Sequence, residues 1–425
     1  MSEALFEVRP HRPENITVRI PGSKSYTHRL LIAAALADGP SEVSGCLRSE
    51  DTLLTAEALR QLGISVKDHG DGRMVVEGKG GRLEGTSDVV FLANSGTSMR
   101  LLSAVAGLGE KASTLDGNAR MRQRPLGDLL DALGQVGIPA RSISETGCPP
   151  VVIGGGSRRG GALSIACHLS SQYLSGLLLM APCLEQGLDI TVTRGPVSRP
   201  YIMMTLEILK KAGILFFREG DTRYRVPGGQ TYRAGNYQVE PDASNASYFF
   251  AAAAVTGGSV CVEGLSLDSA QGDLGLLGVF EKMGCTVTSG SSGICVRGGS
   301  LRAVDVDMGD MPDMVPTLAV VAAFAQGTSY IRNVAHLREK ECDRLSAVAT
   351  ELNRMGGSVR IVGDDLEIDG GLPLHGARIH TYDDHRMAMC FSVAGLRVPG
   401  VVIENPACVA KSFPNFFDVF AKVMG

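Results

Sequence analysis

At 425 residues the chain is too long for one ordinary hydrophobic core, so two or three domains are expected. Its 44 % hydrophobic and 20 % charged residues exclude a disordered chain, and its net charge of −4 argues against a general nucleic-acid binder. Ten cysteines show no C-x-x-C spacing, which speaks against a zinc site or redox pair and for buried free thiols in a reducing compartment.

In chain order, residues 1–13 lack the apolar stretch of a signal peptide and the Ser/Arg bias of a transit peptide. The apolar run Leu30 to Ala37 is far too short to span a bilayer. A cytoplasmic protein with no membrane partner is expected. Leu5 to Val8 and Ile16 to Ile20 alternate like strands.

Six segments then repeat one pattern, a polar turn followed by small and apolar residues. The turns are Ser25-Tyr26-Thr27, Thr97-Ser98, Ser170-Ser171-Gln172, Asp242-Ala243-Ser244, Asp313-Met314 and Asp384-His385-Arg386, spaced by about 72 residues. Each reads as a capped helix start, and a body such as Ala251 to Val255 or Leu318 to Ala323 belongs in a core. A second series of six amphipathic helices ends at Gly63, Gly137, Gly213, Gly284, Gly356 and Gly425, where glycine suits the left-handed position past a helix end. After the first five glycines come strand-like runs; the sixth unit has none left, and the chain start can supply them. The pattern predicts two globes of three units, 21–240 and 1–20 plus 241–425, with crossings near Pro21-Gly22 and Glu240-Pro241.

The helix starts carry residues that core packing does not require. Lys24, Ser25 and Arg29 open the first apolar helix, and Asn94 to Arg100 open the second. Helix N-termini offer free N–H groups and a positive end, so they suit anions. Arg120, Arg122 and Arg124 precede another helix; Lys340 and Arg344, four apart, are expected on one helical face; Arg386 and Lys411 add further cations. Asp313 and Glu341 stand among these cations, where a carboxylate can serve as cap, ion pair or proton carrier. Nucleotide, zinc and nucleophile-elbow motifs are not found.

Lys24-Ser25 with Arg29, Asn94-Ser95-Gly96-Thr97, Arg120 to Pro125, Ser170-Ser171-Gln172, Asp242-Ala243-Ser244, Pro312-Asp313, Lys340-Glu341 with Asp343-Arg344, Asp384-His385-Arg386 and Lys411 together resemble the 5-enolpyruvylshikimate-3-phosphate synthase family. The resemblance implies an α/β (α+β) fold, a two-domain inside-out barrel of three βαβαββ repeats per domain. It implies transfer of the enolpyruvyl group of phosphoenolpyruvate to shikimate 3-phosphate, with no cofactor, no metal and no nucleic-acid partner, by an expected monomer. Shikimate 3-phosphate would be held by Lys24, Ser25, Arg29, Ser170, Ser171, Gln172, Ser198, Tyr201, Asp313 and Lys340. Phosphoenolpyruvate would be held by Lys24, Asn94, Gly96, Arg124, Gln172, Arg344, Arg386 and Lys411. Asp313 would serve the attacking hydroxyl, and Glu341 would protonate the enol carbon with help from Lys24 or His385. Closure of the globes over the substrates would exclude water. Leu101 stands where a proline is often found and His336 where an asparagine is found; with Gly96 retained, sensitivity to glyphosate is expected. The related transferase acting on UDP-N-acetylglucosamine carries a reactive cysteine near the third helix start, and Arg120 to Pro125 contains none.

Overall fold

A computed structural model describes residues 4–425. Twelve α-helices form among them: α1 (Lys24–Leu36), α2 (Glu50–Gln61), α3 (Gly96–Val105), α4 (Gly127–Gln135), α5 (Gln172–Met180), α6 (Arg199–Lys211), α7 (Ala243–Thr256), α8 (Gly275–Met283), α9 (Val315–Ala323), α10 (Arg344–Arg354), α11 (His385–Gly395) and α12 (Phe416–Met424). The odd-numbered helices carry the small, apolar sequences. Every residue of α3, α9 and α11 is buried, as expected of helices without a polar face. Side-chain caps hold several starts: Asp242 accepts from the Asn245 amide at 2.9 Å, and Asp384 from the Arg386 amide at 2.9 Å. The even-numbered helices bury one face only, and the glycine after each is left-handed, with φ of 91° at Gly63 and 108° at Gly284.

The strands form six sheets with one recurring order. In one, Val89–Phe91 runs parallel to Ala112–Asp116, which is antiparallel to Val151–Gly154, itself antiparallel to Ala140–Ser142. Four other sheets repeat this arrangement. The sixth has three strands: Arg378–Ile379 lies parallel to Val402–Glu404, and Leu5–Glu7 pairs antiparallel with the latter. Ile16–Val18 joins another sheet, parallel to Ser259–Glu263.

Two compact units result. One is Gly22–Val239, and the other joins the chain up to Pro21 with Glu240–Gly425. Each holds three of the buried helices and three sheets. In the second unit, Phe413, Phe416 and Phe420 pack on Phe249 of α7, with ring centroids 6.1–6.2 Å apart, and so pin the last helix to the core.

The expectation of free thiols throughout is corrected at two positions. Cys261 and Cys295 face each other on paired strands and form a disulfide; the remaining eight cysteines are free. Cross-strand register brought together residues 34 apart, a proximity that linear spacing does not display.

Candidate active site

In the unit formed by residues 22–239, the starts of α1, α3 and α5 are joined by polar contacts. Lys24, the first residue of α1, pairs with Asp51 of α2 at 3.2 Å, and Asp51 is 1 % exposed. The Asp51 carbonyl accepts from Ser98 Oγ of α3 at 3.2 Å. Thr97 Oγ1 accepts from Gln172 Nε2 at 2.9 Å, and Gln172 Oε1 accepts from Arg100 at 3.1 Å, so two groups of α3 orient the first side chain of α5. Arg124 donates to the Asn94 carbonyl and side chain at 3.1 and 3.2 Å.

Arg29 is fully buried. It donates to Thr205 Oγ1 (2.8 Å), the Ser25 carbonyl (3.0 Å), the Tyr201 carbonyl (3.3 Å) and Ser175 Oγ (3.4 Å), and burial pulls its pKa down to about 10. It therefore ties the starts of α1 and α6 to α5 from within. Ser170, Ser171 and Ser198 are buried at or just before helix starts, with Ser198 in the left-handed region at φ 53°. Four cations, Lys24, Arg29, Arg100 and Arg124, stand at these helix starts or beside them, and Lys24 pairs with Asp51. Cations beside helix N-termini suit anions.

In the other unit, one carboxylate gathers three cations. Asp313 accepts from Arg386 at 2.7 Å, Arg344 at 3.0 Å and Lys340 at 3.4 Å. Burial alone would raise its pKa, but Arg386, Lys340 and Arg344 outweigh that and hold it well below the usual carboxylate range. Arg344, 1 % exposed, also makes a two-toothed contact with Asp384 (2.7 and 3.1 Å) and donates to Glu341 at 2.8 Å. Arg386 donates further to Tyr248 Oη at 3.1 Å. Lys411 is buried at the end of the short helical segment Pro406–Lys411. His385 is sealed from solvent, 3.6 Å from Asp384.

Lys340 and Arg344 do not share a helical face. α10 begins only at Arg344, capped by Asp343, and Lys340 is extended. Asp343 takes the Ser346 amide at 3.1 Å and fixes the start there. The two cations meet through Asp313 instead.

Three supporting groups escaped the sequence reading of roles. Asp51 is not singled out by the sequence, and Asp384 and Thr97 read only as parts of polar turns that start helices. Each also contacts a candidate site residue from elsewhere in the chain, which only the fold discloses.

His336 is 5 % exposed, and burial, reinforced by Lys340, lowers its pKa to about 4 from an ordinary 6.5. Between these values the unfolded chain takes up a proton that the folded chain refuses. Stability is thus full above pH 6.5 and falls as pH drops, by about 3 kcal/mol near pH 4. Asp273, raised to about 6 by burial and by Asp313, acts in the opposite direction. Comparing urea unfolding of wild type and His336→Asn from pH 7 to 4 isolates the histidine: the variant should lose less stability on acidification. Parallel curves would refute this.

Among the described residues, no helix is long and apolar enough to cross a membrane, and no group of His, Cys, Asp or Glu is arranged to hold a metal ion.

A repeated fold with cations and ion-paired carboxylates at or near helix starts has the chemistry that suits small polyanions and proton transfer beside them. The sequence profile of EPSP synthase (3-phosphoshikimate 1-carboxyvinyltransferase) matches residues 8–420. Proteins named 3-phosphoshikimate 1-carboxyvinyltransferase from Trichormus variabilis and Syntrophobacter fumaroxidans are 43 % and 46 % identical to this chain. The first alignment covers 98 % of both chains, and the second 95 % of this chain and 96 % of the relative. The solved EPSP synthase of Acinetobacter baumannii superposes with a TM-score of 0.82 at 29 % identity, covering 99 % of this chain and 98 % of that one. The enolpyruvyl transferase NikO of Streptomyces tendae shares the fold at a TM-score of 0.76 and 20 % identity, covering 99 % and 97 %. The chain belongs to the EPSP synthase family.

Proposed function

We propose that this chain transfers the enolpyruvyl group of phosphoenolpyruvate to the 5-hydroxyl of shikimate 3-phosphate and releases phosphate, the step of aromatic amino acid biosynthesis that family membership indicates. The observation that carries the reading is Asp313, ionised among Lys340, Arg344 and Arg386 with Glu341 on the same Arg344. Shikimate 3-phosphate is held by Ser25, Arg29, Ser170, Ser171, Gln172, Ser198 and Tyr201, with Lys340 and Asp313. Phosphoenolpyruvate is held by Asn94, Gly96, Arg124, Gln172, Arg344, Arg386 and Lys411, and Lys24 touches both. Arg29 acts more through the helix starts it ties than through direct contact, because it is fully buried.

Glu341 gives its proton to the methylene carbon of phosphoenolpyruvate, and the 5-hydroxyl oxygen attacks the adjacent carbon while its proton passes to Asp313. A tetrahedral ketal results. Its bond to the phosphate oxygen then breaks, phosphate leaves with the electron pair and takes up the proton held by Asp313, and a methyl proton returns to Glu341. Of the two assistants, Lys24 is better exposed, at 12 %, whereas His385 is sealed. When substrate anions draw Arg344 and Arg386 away from Asp313, its basicity rises and it becomes able to take the proton. The net charge of −4 supports a protein that works without a nucleic-acid partner.

The direct test is phosphate release from phosphoenolpyruvate with and without shikimate 3-phosphate. Release that ignores shikimate 3-phosphate, or no release, refutes the reading. Glyphosate at millimolar concentration should inhibit. A methyl at Gly96 would lie 2.4–2.7 Å from the Arg124 guanidinium and push it aside. Gly96→Ala should therefore raise KM for phosphoenolpyruvate about tenfold, the worth of one charge-assisted hydrogen bond, and weaken glyphosate inhibition in steady-state assays. An unchanged KM would show that Arg124 does not bear on this substrate.

A further inference from the structure

Two of the elements that carry cations in the second unit begin at turns that L side chains resist. Tyr382 and Asp383 have φ of 54° and 53°, and Asn405 has φ of 46°. Such conformations cost about 1–3 kcal/mol each and persist only where the surroundings impose them, Asp and Asn being the most tolerant. The first turn leads into Asp384 and α11, which carries Arg386. The second leads into the segment that ends at Lys411.

Both turns are tied down by side chains. Tyr382 Oη donates to Glu351 Oε1 at 2.9 Å. Glu351 is completely buried, and its other oxygen takes the His380 amide at 3.2 Å and Arg354 at 3.0 Å, so the first turn is fastened to α10. Asn405 Nδ2 donates to Asp383 Oδ1 at 2.6 Å and joins the second turn to the first. Asp383 is exposed, so this bond buries no apolar surface. It spans the turns that lead into the two elements bearing Arg386 and Lys411.

We propose that Asp383 and Asn405 are positioning residues for phosphoenolpyruvate, their bond fixing the spacing of Arg386 and Lys411, with Glu351 and Tyr382 as the anchor. The inference rests on the assignment of those two cations to phosphoenolpyruvate made above. Asn405→Asp sets two carboxylates face to face and should raise KM for phosphoenolpyruvate about tenfold. KM for shikimate 3-phosphate should stay within about twofold. In Asp383→Asn/Asn405→Asp the amide and the carboxylate trade places, both types still tolerate the left-handed turn, and KM should return to near wild type. Asn405→Gly keeps the turn, because glycine adopts positive φ freely, but loses the bond; it should show the same raised KM. Wild-type enzyme without activity would refute the functional assignment itself. Active wild type with unchanged KM in Asn405→Asp and Asn405→Gly overturns the positioning role alone. So does an equal rise in both KM values, or failure of the exchanged pair to restore KM while its melting temperature matches wild type.

Discussion

Asp313→Asn should lower kcat for phosphate release by about 10²- to 10⁴-fold, the range lost when a positioned general base is removed. The substitution keeps the size of the side chain and removes its charge. Lys340, Arg344 and Arg386 are then left around a neutral amide, where they repel one another and attract incoming anions more strongly. KM for phosphoenolpyruvate should therefore stay level or fall. This split separates a proton acceptor from a ligand, whose loss would raise KM. Steady-state kinetics at neutral pH check it, and a kcat within tenfold of wild type would remove Asp313 from the chemistry.

Arg344→Ala should destabilise its unit by about 3–5 kcal/mol, because it strands buried carboxylates. Asp384 is fully buried and would lose both Arg344 contacts; Asp313 and Glu341 would lose one each. Arg344→Lys should recover little, since one ammonium cannot reproduce a planar fork that serves three carboxylates. The pH dependence follows from Asp313, whose folded pKa is depressed. Its stabilising contribution is present above the ordinary carboxylate value of 3.8 and is lost as pH falls through the folded value. The deficit of the variant should thus be largest near neutrality and narrow below about pH 4. Urea unfolding followed by circular dichroism at the two pH values tests this, and a loss under about 1 kcal/mol at pH 7 contradicts it.

The helices were legible because their constraints are local. A core helix such as α9 or α11 has no polar residue to spare inside, so polar residues collect at its start, and Gly63 and its five counterparts mark the amphipathic ends by a backbone need that only glycine meets without strain. The cations that cluster at those starts were visible for the same reason. Their partners were not. Arg344 and Asp384 are 40 residues apart, and Arg29 and Thr205 are 176 apart, so these pairs exist only through the packing of separate repeats. Periodicity also misled at Lys340: a spacing of four implies a shared face only inside a helix, and the Asp343 cap starts α10 four residues too late for that. Asp343 followed three residues later by Ser346 was the available local signal.

The unit Gly22–Val239 is one continuous stretch set within a host whose sequence it interrupts. Where the host chain leaves and returns, the Asp242 amide donates to the Pro21 carbonyl at 3.0 Å, so the severed ends already lie side by side. The guest could be excised as a single gene fragment. The host could be resealed by a linker of a few residues between Pro21 and Glu240, keeping the N-terminal strands that complete two of its sheets. Shortening the chain from its beginning, by contrast, would unzip the host while sparing the guest.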